Sequence, residues 1–330
     1  MQFDFLMCSE RSGSNLITKI LDAHSRLCGP FPTHLLRHMS LNLFRYGDLT
    51  EDRNWLVFLE DVENLLQHRI GVWSTEFRAD MVRDLPHRSL ASVYRFVYER
   101  EAQAQGKKRV FVKENHLYQI LPYVLSHFPE SRFVFFVRDP RDMALTWKRA
   151  GTAAGGVRTA SRVWRDDQQG SILARGFLQD QRRVLLLRFE DLLADSESTV
   201  RRLCEFLCLD FEEGMLEFHR KGIVRGNAER LSSWQDLGKP LIRDNFNLYR
   251  KQLKPEEIRY VELECAEQMS YLAYARDFDF SISREQLESA LPAEQEERTL
   301  TEREEQIYPG FFAALEKISK RALFAETGNE

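Results

Sequence analysis

"FLMCSERSGSNLITKILDAH", Phe5 to His24, passes from an apolar run through a Ser/Gly turn into a helical pattern. Phe3, Phe5, Leu6, Met7 and Cys8 have strand character, while Leu16, Ile17, Ile20 and Leu21 recur at helical spacing. The turn therefore lies where a parallel strand ends and a helix begins. Amides at a helix start are unpaired and carry the positive end of the dipole, so small residues there admit an anion. No acidic residue lies between Glu10 and Asp22. A Walker A loop would read GxxxxGK[ST]; here Cys8 stands at the first glycine, Gly13 at the second and Ser14 at the lysine. The cation is instead Arg11, whose planar guanidinium can grip two oxygens of one anion. The alternative is an ordinary helix start, capped by Ser12 or Ser14.

Three further apolar runs read as strands: "RVFVK" (Arg109–Lys113), "RFVFFVR" (Arg132–Arg138) and "RVLLLRF" (Arg183–Phe189). A helical pattern follows each, which predicts an α/β fold with a P-loop-like parallel sheet flanked by helices. Ligands of such sheets gather beyond the carboxyl ends of the strands, where Arg11, Lys113 and Arg138 fall. Residues 30–108 read as a helical insert after the first βα unit, covering the ligand edge of a domain spanning 1–280. Residues 281–330 read as a charged linker and an amphipathic terminal helix with Ile307, Phe311, Leu315 and Ile318 on one face. That face is free to dock on the domain or on a second copy.

"SRFVFFVRDPRDMALTWKRA" repeats the design of the first turn. A strand ends at Arg138, Pro140 opens a helix, and Asp139 or Asp142 can cap it. Arg138 and the helical Thr146 can converge on one phosphate; alternatively, Arg138 pairs with the neighbouring aspartates. A net charge of −4 argues against a general nucleic-acid binder, so any anion site is local. No run of ~20 apolar residues suggests a membrane span. The five cysteines lack CxxC spacing and fit a reducing cytoplasm, with Cys204 and Cys208 expected to pack as small hydrophobes.

Two strand-turn-helix anion elements suit a ligand with phosphate groups at both ends. On "SERSGSNLI", "FPESRFVFFVRDPRDMALT" and "LLLRFEDLLADSESTVRRLCEFLCL" the chain resembles the sulfotransferases that use 3′-phosphoadenosine 5′-phosphosulfate (PAPS), from about Phe3 to Tyr274. The resemblance implies that Arg11, Ser12, Gly13, Ser14 and Asn15 surround the 5′-phosphosulfate and that Arg138 and Thr146 bind the 3′-phosphate. Phe189 stands where relatives often have tyrosine, so an adenine contact there would be apolar. PAPS is thus the expected donor, 3′-phosphoadenosine 5′-phosphate (PAP) its product, and no metal is required. Lys113 is similar to the family's strand-end lysine, although "KENH" departs from Lys-Thr-His.

Sulfuryl transfer needs cations at the leaving group, for which Arg11 and Lys113 are the candidates, and a base for the acceptor proton. His34, in "GPFPTHLLRH", is the first choice among eight histidines, with Pro32 at the position where relatives have glutamate; His116 is the second. The acceptor is expected to be a carbohydrate or small metabolite bearing a hydroxyl or amine. Aromatic and basic residues of the insert, such as Trp55, Trp73, Phe77 and Tyr94, could stack on it. The alternatives are a non-catalytic nucleotide-binding scaffold and a P-loop kinase, for which the loop lacks the lysine.

Overall fold

Phenylalanine and valine fill the central strands because both faces of the sheet are covered, which makes their burial continuous rather than alternating. The computed structural model describes residues 1–150, 154–279 and 282–323. Its sheet has five parallel strands: β1 (Gln2–Cys8), β2 (Leu27–Cys28), β3 (Arg109–Lys113), β4 (Phe133–Val137) and β5 (Val184–Arg188), in the order β2-β3-β1-β4-β5. Phe3 to Cys8 and all of β4 are buried. The edge strand β5 is only half-buried.

The three strand ends that matter are neighbours. Leu6 of β1 lies beside Lys113 of β3, and Cys8 beside Phe136 of β4. From β1 the chain crosses to β2 and β3 on one side and then to β4 and β5 on the other, so the crevice beyond β1 is the switch point of the sheet. Four strands meet expectation; β2 does not, because two residues carry no readable periodicity. The first long connection therefore starts after β2.

Helix α1 (Ser14–Asp22) buries Ile17, Ile20 and Leu21 against the sheet. The insert supplies α2 (Leu35–Leu41), α3 (Asp52–Gln67) and α4 (Leu90–Ala104). After β3 come α5 (Leu121–His127), then α6 (Pro140–Arg149) following β4, and the long α7 (Val157–Gln179). Among the described residues no helix is long and apolar enough to cross a membrane. Cys204 is buried beside Met215, but Cys208 caps a helix end in the left-handed conformation and is exposed, against expectation.

The boundary expected at residues 280–281 lies outside the described residues. Beyond it, the supposed linker forms a helix, Arg284–Ala290, with Ser283 and Gln286 capping its start and Leu287 buried. The terminal helix, Glu302–Ser319, lies on its own chain: Phe311 and Ile318 of the expected stripe are buried together with Tyr308 and Ala314, whereas Ile307 and Leu315 are only partly buried. Gly310 permits this approach, since a Cβ there would lie 2.5 Å from His68 at the end of α3.

Candidate active site

The first turn leaves its helix start open. Gly13 is the residue before α1, at φ 81°, a conformation that glycine alone adopts without strain. Among the described residues no side chain caps α1; Ser12 Oγ instead donates to the Ser9 carbonyl at 2.7 Å. The capped-helix alternative therefore fails, and the first amides of α1 remain available to an anion. Gly13 has a second reason to be glycine: a Cβ would come within 2.4 Å of the Phe189 ring. Arg11 is also left-handed, at φ 59°, which folds the turn tightly over β1.

Arg138 extends from the end of β4 and is only 6% exposed. Its Nη1 donates to the Arg11 carbonyl at 3.2 Å and to Thr146 Oγ1 at 3.5 Å, and its Nη2 to the Asn245 carbonyl at 3.3 Å. The guanidinium lies 4.5 Å over the ring of Phe189. Among the described residues its Nε meets no acceptor, and no carboxylate stands within ion-pair distance. The nearby aspartates are otherwise engaged. Asp139 caps α6 and pairs with Arg141 at 2.6 Å, and Asp142 accepts from the backbone of Asn247 and Tyr249. Burial lowers the Arg138 pKa while Asp142, Glu190 and Asp139 act in the opposite direction. A buried guanidinium bonded to neutral oxygens, with one N–H unmet, fits a polyanionic ligand.

Lys113 completes the cation set on the other side of β1. It is buried and donates to Asn15 Oδ1 at 3.0 Å, so it braces the first turn. Burial lowers its pKa. Arg11, Ser12, Gly13, Ser14, Asn15, Lys113, Arg138 and Thr146 thus gather at three adjacent strand ends. Phe189 is different. It is 3% exposed and packed under both anion elements, which makes it their common support rather than an open platform.

The segment after β3 then sends its side chains in different directions. Glu114 lies fully buried beneath His34, with Nδ1 to Oε1 at 3.7 Å, and neither carboxylate oxygen meets a hydrogen-bond donor among the described residues. Burial pushes Glu114 up to about 8 and, helped by the Lys113 charge, pushes His34 down to about 3. Both members of this pair are held neutral near pH 7. His116 points the other way and meets Asp167 of α7, Nδ1 to Oδ1 at 2.6 Å. That contact fixes the ring and, with Nδ1 donating, leaves Nε2 as the bare nitrogen. The Asp167 side chain is nearly buried, whereas that of His116 is 22% exposed.

Glu114, Asp167 and the Asn245 carbonyl are site residues that the sequence did not single out. Glu114 directly follows Lys113 in the sequence, whereas Asp167 in "WRDDQQG" carries no local signal. The insert aromatics are a correction. Trp55, Trp73, Phe77 and Tyr94 are buried in the core, where Tyr94 packs against Phe3 of β1 and Trp55 stacks on Phe58 of its own helix. They are core residues and do not form the stacking surface that the composition suggested.

The fold defines a P-loop-like α/β protein, with Arg11, Lys113 and Arg138 at the carboxyl edge of its sheet. The chain belongs to the Sulfotransferase family, whose model matches residues 5–213. It is similar to mouse (Mus musculus) carbohydrate sulfotransferase 7, 33% identical over 99 residues, or 30% of this chain and 20% of the relative. Arabidopsis thaliana cytosolic sulfotransferase 15 is 34% identical over 107 residues, 30% of this chain and 29% of that one. The matched stretches thus span less than a third of either relative. Among solved structures, the sulfotransferase domain from the curacin biosynthetic pathway gives a TM-score of 0.56 at 19% identity, covering 83% of this chain and 99% of that domain. The sulfotransferase domain of the Synechococcus PCC 7002 olefin synthase gives 0.54 at 20%, covering 83% and 95%. At these identities the likeness concerns the fold.

Proposed function

We propose that the protein transfers a sulfuryl group from PAPS to a hydroxyl or amine of a small acceptor. The observation that carries this reading is the buried Arg138, which among the described residues bonds neutral oxygens beside a helix start that no side chain caps. PAPS, when bound, supplies an activated sulfuryl group carried on a phosphate oxygen. Arg138 and Thr146 hold the 3′-phosphate, while the amides of Gly13, Ser14 and Asn15 hold the 5′-phosphosulfate. Arg11 and Lys113 neutralise charge on the leaving oxygen, and Asn15 keeps Lys113 in place.

His34 and His116 were both candidates for the base. The geometry favours His116: Asp167 holds Nδ1 and orients the ring, so that Nε2 would take the acceptor proton. A histidine pushed down to about 3, such as His34, is a weak base at neutrality. His34 then serves the acceptor side by shape and hydrogen bonding.

Thermal-shift titration separates this reading from its rivals. PAP should raise the melting temperature, and ATP with Mg²⁺ should not. The reverse result would point to a kinase. Binding of PAP without transfer of label from PAPS to any acceptor in cell extract would leave a nucleotide-binding scaffold.

A further inference from the structure

The terminal helix packs on α2 and α3 and passes beside His34. Its N-terminal end is pinned by Glu304, which accepts from the Ser232 amide at 3.0 Å and hydroxyl at 2.7 Å as well as from Thr301. Its C-terminal end is pinned to α3: Lys317 bonds Glu60 at 2.8 Å and approaches buried Asp61 at 3.2 Å, and Arg321 also binds Asp61. Between these anchors Phe311 lies against His34, ring centroids 6.0 Å apart and tilted by 54°. One turn earlier, buried Tyr308 stacks on Phe312 at 5.5 Å and lies within electrostatic reach of Arg11 and Glu10 of the donor turn. The exposed positions of the helix include Glu302, Glu305 and Glu316. The helix therefore turns its aromatic side inward and its charges outward, and the matched family model ends long before it.

We infer that Phe311 and Tyr308 form the acceptor-side wall of the site and restrict it to small acceptors with an apolar body. A helix anchored at both ends prevents an extended glycan from lying across the site. Its inward rings offer van der Waals contact and few of the paired donors and acceptors that sugar hydroxyls require. This inference rests on the sulfotransferase reading, which supplies the acceptor, whereas the shielding of His34 can be measured without turnover.

Two measurements on the full chain test it. Diethylpyrocarbonate modification, mapped by mass spectrometry, should label His34 slowly in the parent. In Phe311→Ala the rate should rise at least about fivefold, with His127 as an unaffected control; Glu304→Gln, which loosens the helix without touching the site, should move it in the same direction. With PAPS and 2-naphthol as the probe acceptor, Phe311→Ala should raise KM for naphthol about tenfold while PAP affinity stays within about twofold. Unchanged His34 labelling in both variants overturns the wall. So does parent enzyme that sulfates a uronate-containing hexasaccharide as readily as naphthol. Failure of the parent to bind PAP removes the sulfotransferase reading instead, and the labelling result then stands by itself.

Discussion

The donor and acceptor halves of the crevice are built in different ways. On the proposed donor side most residues come from two short stretches, 9–15 and 138–146, each directly after a strand, and Lys113 joins them from the end of β3. On the acceptor side the contacts join distant parts of the chain: His34 with Glu114, His116 with Asp167, and His34 with Phe311. The first half depends on local geometry around Gly13 and on one buried guanidinium. The second depends on tertiary packing, which positions two histidines around one strand end and gives each a different carboxylate. Changes on the donor side should thus alter nucleotide affinity, and changes on the acceptor side should alter turnover and its pH dependence.

The sharpest contrast is between the two histidines. His116→Ala should lower turnover by about 10²–10⁴-fold with PAP affinity nearly intact. His34→Ala should cost far less, and a collapse of turnover in that variant with His116→Ala active would reverse the assignment. Arg11→Ala comes next. If its charge acts on the leaving oxygen, turnover at saturating donor should fall by about 10²–10³-fold, well beyond its effect on PAP affinity. Normal turnover in that variant would place Arg11 outside the reaction.

Gly13→Ala tests the local geometry. It combines a left-handed backbone with a Cβ 2.4 Å from a ring that Arg138 covers, so a loss of about 2–3 kcal/mol in chemical denaturation is expected. Gly106 is the control. It too is left-handed, at φ 69°, but nothing lies within 4 Å of its Cβ, so alanine there should cost only about 1 kcal/mol. Equal losses would mean that the Phe189 contact is unimportant.

The remaining contrast is the pH response of the His34–Glu114 pair. Glu114 keeps its proton in the folded state up to about pH 8, whereas the unfolded chain releases it near 4.5, so its contribution to stability falls as pH rises across that range. His34, pushed down to about 3, contributes the opposite slope between about 3 and 6.5. Between about pH 6.5 and 8 Glu114 acts alone of the two, at up to about 1.4 kcal/mol per pH unit. Glu114→Gln should flatten this limb relative to the parent. An unchanged limb would mean that Glu114 is ionised in the folded protein, paired with a charged His34.

The same division explains what could be read in the sequence. The parallel sheet and both anion turns were legible because each is encoded within about twenty residues: an apolar run, small or capping residues, then a 3.6-residue period. Strand β2 was too short to show a period. Asp167 and Glu114 gained meaning only when α7 and α2 packed against the end of β3. The insert aromatics looked like a stacking surface because composition does not distinguish a buried face from an exposed one. The terminal stripe was legible as amphipathic, but its seat over His34 was not.

The account stands most directly on a phosphate site at Arg138. Isothermal titration of the parent chain and of Arg138→Ala with PAP and with adenosine 5′-phosphate isolates it. The parent should bind PAP more tightly by roughly 1.5–3 kcal/mol, and Arg138→Ala should lose most of that preference while binding adenosine 5′-phosphate almost as before. Equal affinity of the parent for the two nucleotides, or equal losses for both on removing Arg138, would contradict the account.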